Sequence, residues 1–201
     1  MPQQRTFPIA NDQFLSGTSD GLRLFVVQDY FTHGNLAPSL ARANQSLRKG
    51  KGEFLLVTQN VDDLHERVGS KNLIHMHGLL NSAFCVECGW QGPRHGRLEG
   101  NRECLACERD ALRPDIVLFG EAPRYMRQIE AALEQCDLFI AIGTSATVYP
   151  AAGFIEIAKA NGAQTHRFDI KATQNSEVFN RCHVGPASQT VSAWVNEFTI
   201  I

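Results

Sequence analysis

Two kinds of reactive residue stand out in this chain of 201 residues: polar groups gathered behind apolar runs, and cysteines in pairs. In Thr58-Gln59-Asn60-Val61-Asp62, two amides and a carboxylate follow Phe54-Leu55-Leu56-Val57 directly. A little further on, Leu73-Ile74-His75-Met76-His77-Gly78 supplies two imidazoles and then a glycine. Amides and a carboxylate beside an imidazole, whose ordinary pKa lies near neutrality, could hold a ligand and move a proton. Each residue also has a plainer use: Asn60 or Asp62 would cap a helix over residues 61–68, and a histidine on an apolar strand is commonly a satisfied core residue. The second set is Cys85-x-x-Cys88 and Cys104-x-x-Cys107, separated by 15 residues, which is zinc-ribbon spacing. Four thiolates close a tetrahedron and leave no open position for water, so the ion would be structural; iron suits the same sulfur set. Cys136 and Cys182 stand alone and read as small buried apolar residues.

The polar groups need strands to position them. Phe54 to Val57 is apolar without alternation, as in a strand buried on both faces of a parallel sheet, and ligands of such sheets bind beyond the carboxyl ends of the strands. Leu36, Leu40, Ala43 and Leu47 predict one helix that ends near Gly50, with Pro38 in its first turn. Leu22 to Val27 fits a short strand or a helical turn. Further strands are expected at Ile116 to Phe119, Asp137 to Ile142 and Thr165 to Ile170, and helices at 125–135, 151–161 and 191–198. Residues 79–114 form a separate small module, and Met1 to Asp20 is poor in apolar residues, so 1–35 reads as an atypical amino-terminal arm. Lys plus Arg number 19 against 21 acidic residues, a formal charge of −2, which argues against a nucleic-acid footprint. There is no run of about 18 apolar residues to span a membrane, and paired cysteines fit a reducing compartment, so the expectation is a cytoplasmic monomer.

The stretch TQNVDDLHERVGS followed by HMHG resembles the core signature of the sirtuins, closest to the bacterial NAD-dependent protein-lysine deacylases. The resemblance implies an α/β fold, a Rossmann-like parallel sheet over residues 36–78 and 115–201, with the inserted zinc module at 79–114. It implies NAD as co-substrate, structural Zn2+ on Cys85, Cys88, Cys104 and Cys107, and acylated lysine peptides or proteins as partners. Residue by residue, Gln59, Asn60 and Asp62 would line the nicotinamide ribose pocket and His77 would be the catalytic base. Gly143, Thr144 and Ser145 match the family's GTS at the adenosine half of NAD, with Asp169 near its ribose and Ala187 near the adenine. Ile116, Val117, Phe119, Gly120 and Val148 would border the acyl-lysine. The implied reaction removes an acetyl, succinyl or malonyl group from lysine and releases nicotinamide and O-acyl-ADP-ribose.

The chain departs from the family in places. The glycine-rich turn that should follow the first strand is not found, so the first βα unit reads as deleted or replaced. Tyr30 is followed by His33 where deacylases of acidic acyl groups carry arginine, and Asp169-Ile170-Lys171 replaces the family's Asn-x-Glu. A second reading therefore stands beside the enzyme: a catalytically impaired remnant that binds a peptide or partner through its cleft and zinc module.

Overall fold

The computed structural model describes residues 21–28, 36–49, 52–96, 98, 100–144, 151–172 and 174–199. Six parallel strands make the main sheet: β1 (Arg23–Gln28), β2 (Glu53–Thr58), β3 (Leu73–His75), β7 (Leu138–Ile142), β8 (Gln164–Asp169) and β9 (Arg181–Val184). They lie in the order β3-β2-β1-β7-β8-β9, the doubly wound arrangement whose strand order reverses between β1 and β7.

Alternation along the strands divides the core in two. Leu24, Val26, Phe54, Leu56, Leu138 and Ile140 face α1 (Leu36–Lys49) and α5 (Ala187–Thr199). Phe25, Val27, Val57, Phe139 and Ala141 face α3 (Met126–Leu133) and α4 (Ala151–Ala160). Helix α1 forms because Leu36, Leu40, Ala43 and Leu47 fall on one side, and all four are buried against the sheet. On the opposite layer Phe25 stacks on Phe139 at 5.8 Å between ring centres and meets Phe154 edge-on.

A second, antiparallel sheet carries the cysteine module, in the order β5 (Gln91–Pro93), β4 (Gly78–Cys85), β6 (Leu112–Ile116). Its core is small, built from Cys85, Cys104, Ala111 and Leu112 with Trp90 and Leu98 packed alongside.

Three expectations change here. Arg23–Gln28 is no part of an amino-terminal arm: it pairs over its whole length with β2 and over most of it with β7, at the middle of the sheet. The chain thus does have a first βα unit, and five of the six β1 residues are buried because both faces are covered. Next, the strand after the module is Leu112–Ile116, not Ile116 to Phe119, and it pairs antiparallel with β4 instead of joining the parallel sheet. Pro114 fits there because β6 is an edge strand, where a missing N–H costs no ladder bond. Finally, Cys136 is buried but Cys182 is exposed, its thiol donating to the Ser176 carbonyl. Among the described residues no helix is long and apolar enough to cross a membrane.

Candidate active site

The polar cluster sits at the carboxyl edge of the main sheet. Strand β2 ends at Thr58, whose Oγ1 accepts the Asn60 N–H at 3.1 Å, and the Gln59 N–H donates to the Gln28 carbonyl of β1 at 2.9 Å. Asp62 lies one residue before Asp63, the N-cap of the short helix α2 (Leu64–Arg67), and its Oδ1 accepts the Leu64 N–H at 3.0 Å. Its other oxygen is left over. Asp62 Oδ2 and Gln59 Nε2 are buried without a hydrogen-bond partner among the described residues, and buried polar atoms in that state mark a place where a ligand can complete the bonding. Asn60 lies between them, also buried.

His77 does not share a strand face with His75, because β3 stops at His75 and Met76-His77 forms a turn. That turn is tied down on every side. The Met76 N–H donates to the Thr58 carbonyl at 3.1 Å, the Arg124 N–H to the Met76 carbonyl at 2.9 Å, and the Val117 N–H to the His77 carbonyl at 2.8 Å. The His77 ring places Nδ1 at 3.1 Å from the Gln59 carbonyl oxygen. A carbonyl only accepts, so Nδ1 donates here; in the neutral ring this bond selects the tautomer with its lone pair on Nε2, the one a general base needs.

Two histidines outside the expected set complete the cluster. His65 on α2 is buried and donates from Nε2 to the Gln28 side-chain oxygen at the tip of β1, while burial lowers its pKa and keeps it neutral. His75 bridges the Asn60 carbonyl and the Glu66 carboxylate. No motif pointed to Gln28, because a strand-end glutamine has no pattern of its own.

Of the acyl-side residues, Ile116 and Val117 are partly buried beside the His77 turn. Phe119 is fully exposed on the turn it forms with Gly120, so it walls no channel with them. Behind this segment runs a polar brace. The Asp115 carboxylate takes hydrogen bonds from Arg124 and, at 2.6 Å, from Gln91. Arg113 grips Glu121 with both guanidinium nitrogens, which holds that carboxyl down to about 2. Phe84 lies under the guanidinium groups of both Arg113 and Arg124.

At the carboxyl end of β7, Gly143 takes φ +65°, its N–H donating to the Phe168 carbonyl, and Thr144 is buried. Asp169 is engaged by the buried Arg167, and Ala187 opens α5, packed against the core. Ser145 and Val148 lie outside the described residues, as does Tyr30 to His33.

The four module cysteines converge, with all sulfurs within 4.8 Å of one another. Cys85 to Cys107 and Cys88 to Cys104 each measure 3.6 Å, close to the ~3.8 Å edge of a tetrahedron with Zn–S of about 2.3 Å. Each Cys-x-x-Cys turn is followed by a residue at positive φ, Gly89 at +75° and Glu108 at +57°. Burial works against a charge on Cys85, but backbone N–H groups of Cys88 and Glu87 and the neighbouring thiols outweigh it and bring the group to about 7. Cys107 has the Arg109 N–H in its favour, yet burial and the other three sulfurs drive it to about 12. Cys85 loses its proton readily while Cys88 and Cys107 resist, so the set fits a divalent cation that would stabilise the thiolates, and four sulfurs with no open position suit structural zinc.

The Sir2 family model matches residues 26–150, beginning inside β1 and running past Gly143. The chain belongs to the Sir2 family. It is 46% identical over 158 residues to an NAD-dependent protein deacylase of Caulobacter vibrioides, covering 78% of this chain and 66% of that one. To the protein of the same name from Pasteurella multocida it is 46% identical over 170 residues, 81% and 71% of the two chains. The chain thus spans about two thirds of the length of these relatives. Among solved structures it resembles a Sir2 homologue in complex with NAD, with a TM-score of 0.74 at 24% identity over 94% of this chain and 93% of the other. Sir2Af2 bound to a myristoylated histone peptide superposes with a TM-score of 0.69 at 23% identity over 92% and 94%. These likenesses place the fold of this Sir2 chain.

Proposed function

We propose that this chain is an NAD-dependent protein-lysine deacylase, acting on acylated lysine side chains of peptides or proteins as a monomer in the cytoplasm. The observation that carries the reading is the His77 ring, fixed through Nδ1 on the Gln59 carbonyl, beside buried and unsatisfied groups of Gln59 and Asp62. NAD supplies the acyl acceptor, its ribose, and a leaving group, nicotinamide. Gln59, Asn60 and Asp62 would hold the nicotinamide ribose, and Asp169 and Ala187 the adenosine end. The acyl-lysine carbonyl oxygen would attack the ribose carbon as nicotinamide leaves, and His77 would take a proton from a ribose hydroxyl on the way to lysine and acyl-ADP-ribose. Ile116 and Val117 border the acyl-lysine, and the turn at Phe119-Gly120 offers an exposed aromatic to the peptide. The names carried by its bacterial relatives support the same activity.

One observation favours a different reading. The tip of β1 is Gln28, buried and hydrogen-bonded to His65, where a dinucleotide fold turns on glycines to approach the pyrophosphate. Asp29 to Asn35 contains a single glycine, Gly34. A remnant that keeps the peptide cleft but not the nucleotide would look like this. Mass spectrometry of acyl-ADP-ribose formed from acetylated and succinylated peptides separates the two. Product from wild type, and none from His77→Tyr with zinc content unchanged, supports the enzyme. No product, together with no heat of NAD binding in the micromolar range, leaves the remnant.

A further inference from the structure

The imidazole next to the proposed base is held in a way that a neutral ring does not satisfy. His75 ends β3 in register with Thr58 of β2. Its Nδ1 stands 3.3 Å from the Asn60 carbonyl oxygen and its Nε2 2.6 Å from Glu66 Oε1. Both partners only accept. A neutral imidazole has one N–H and would turn a lone pair on one of them, whereas an imidazolium donates to both. A separation of 2.6 Å to a carboxylate is what a charge-assisted bond shows.

The same bonds close a ring of chain. The Asn60 N–H is fixed on Thr58 Oγ1, and Asp62 Oδ1 accepts the Leu64 N–H at the start of α2, which carries Glu66. Glu66 meets His75, and His75 returns to the Asn60 carbonyl. Resting on the deacylase reading, we propose that the His75 imidazolium and the Glu66 carboxylate form a charged clamp on the Asn60 carbonyl, which aims the Asn60 and Asp62 side chains at the nicotinamide ribose of NAD. His75 is then a positioning residue; the proton transfer stays with His77.

The surroundings agree. Burial opposes charge on His75, but its hydrogen bond to Glu66 and the fields of Glu66 and Asp62 outweigh it and raise the pKa. Burial likewise opposes charge on Glu66, and the bond to His75 prevails and lowers it. His65, on the same helix as Glu66, is neutral. On its other side His75 lines a cavity of about 360 Å3 shared with Asp115 and Arg124, which are paired with each other and so add little net field. Because the folded pKa is raised, the clamp is intact below it and is lost as pH rises through it. NAD binding should therefore weaken on the alkaline side.

The test uses the full-length, zinc-loaded chain. Nitrogen-15 NMR of the imidazole rings, with His75→Gln assigning the signal, should show both His75 nitrogens protonated at pH 7. Calorimetric titration with NAD across pH should show Kd rising about tenfold through the His75 titration. Glu66→Gln should move that rise to lower pH, and His75→Gln should remove it, leaving Kd about tenfold weaker and nearly flat. A ring with no more than a stabilising part would lower the melting temperature without moving the break. A neutral His75 at pH 7 in a chain that binds NAD, or an unchanged break in His75→Gln, overturns the clamp alone. A chain that binds no NAD at any pH overturns the deacylase reading and the positioning role with it.

Discussion

Replacing Gly78 by alanine tests the closeness of β4 and β6, on which the placing of His77 depends. Gly78 takes φ +85°, and a Cβ there would stand 2.0 Å from the Asp115 carbonyl oxygen and 2.9 Å from the Ile116 Cα. Both are backbone atoms, so no side chain can swing aside. Restoring the 3.0 Å below which real Cβ contacts are essentially never seen would push β6 back by about 1 Å. The bond from the Val117 N–H to the His77 carbonyl, 2.8 Å long, would then be stretched beyond hydrogen-bond range. A side chain held at positive φ costs about 1–2 kcal/mol, and the lost bond about 1 kcal/mol more. The expected destabilisation is about 2–3 kcal/mol, which for a urea slope of about 2–3 kcal/mol/M lowers the midpoint by about 1 M. The His77 turn loses an anchor too, so deacylation should fall more than about tenfold while zinc stays bound, since the cysteines lie at the far end of β4. Gly78→Ala with a wild-type urea midpoint and full activity would refute this account of the β4–β6 contact.

Other consequences follow from the same structure. Asp115→Ala removes the acceptor of both Arg124 and Gln91 from a site where the carboxylate is almost wholly covered; with Arg124 partly open to water, the loss should be about 2 kcal/mol by urea denaturation, and a change under about 0.5 kcal/mol would contradict it. His166 is held at about 4, first by burial and then by His183 and Arg181, so the folded chain refuses a proton that the unfolded chain accepts. Stability should fall as pH drops from about 6.5 towards 4, by up to about 3 kcal/mol from this group, and His166→Gln should flatten that slope in thermal melts. Stripping the metal with a strong chelator should unfold the module holding β5, β4 and β6 before the main sheet, because its own apolar core is so small; amide exchange that stays slow throughout residues 78–116 after zinc release would count against this.

Much of the site was legible because its motifs lie at strand ends. Val57 and Thr58 mark the end of β2, and the run from Gln59 to Asp62 follows at once, so the sequence itself says which groups face the crevice. The cysteine spacing was equally direct, since a metal site depends on local turns. Arg23–Gln28 was less readable: four apolar residues between an arginine and a glutamine fit either strand or helix, and only pairing with β2 and β7 decides it. Strand β6 misled for the opposite reason. Ile116 to Phe119 is the more apolar run, yet Leu112 to Ile116 forms the strand because it meets β4, and Phe119 is left in solvent. The clamp of His75 on Glu66 and Asn60 joins three elements and has no signature along the chain.

The first strand shows which parts of a Sir2 site depend on sequence and which on backbone. Strand β1 touches the catalytic cluster mainly through its main chain, its Gln28 carbonyl accepting the Gln59 N–H, and a parallel ladder asks only for extended backbone and two buried faces. Arg-Leu-Phe-Val-Val-Gln meets that demand, so β2 and the His77 turn keep their geometry whatever the chain before them. The dinucleotide grip is different, because close approach of a pyrophosphate needs residues without side chains at the strand tip. Gln28 puts a buried amide there and spends it on His65. The cluster from Gln59 to His77 thus rests on contacts among residues 53–78, on the Val117 and Arg124 N–H groups, and on β1 through its ladder to β2, the Gln28 carbonyl and the Gln28 side chain. On the deacylase reading NAD would be held by the run from Gln59 to Asp62, by the Gly143 turn and by the Asp169 and Ala187 end, so the clamp on Asn60 would carry more weight than behind a glycine turn at the tip of β1.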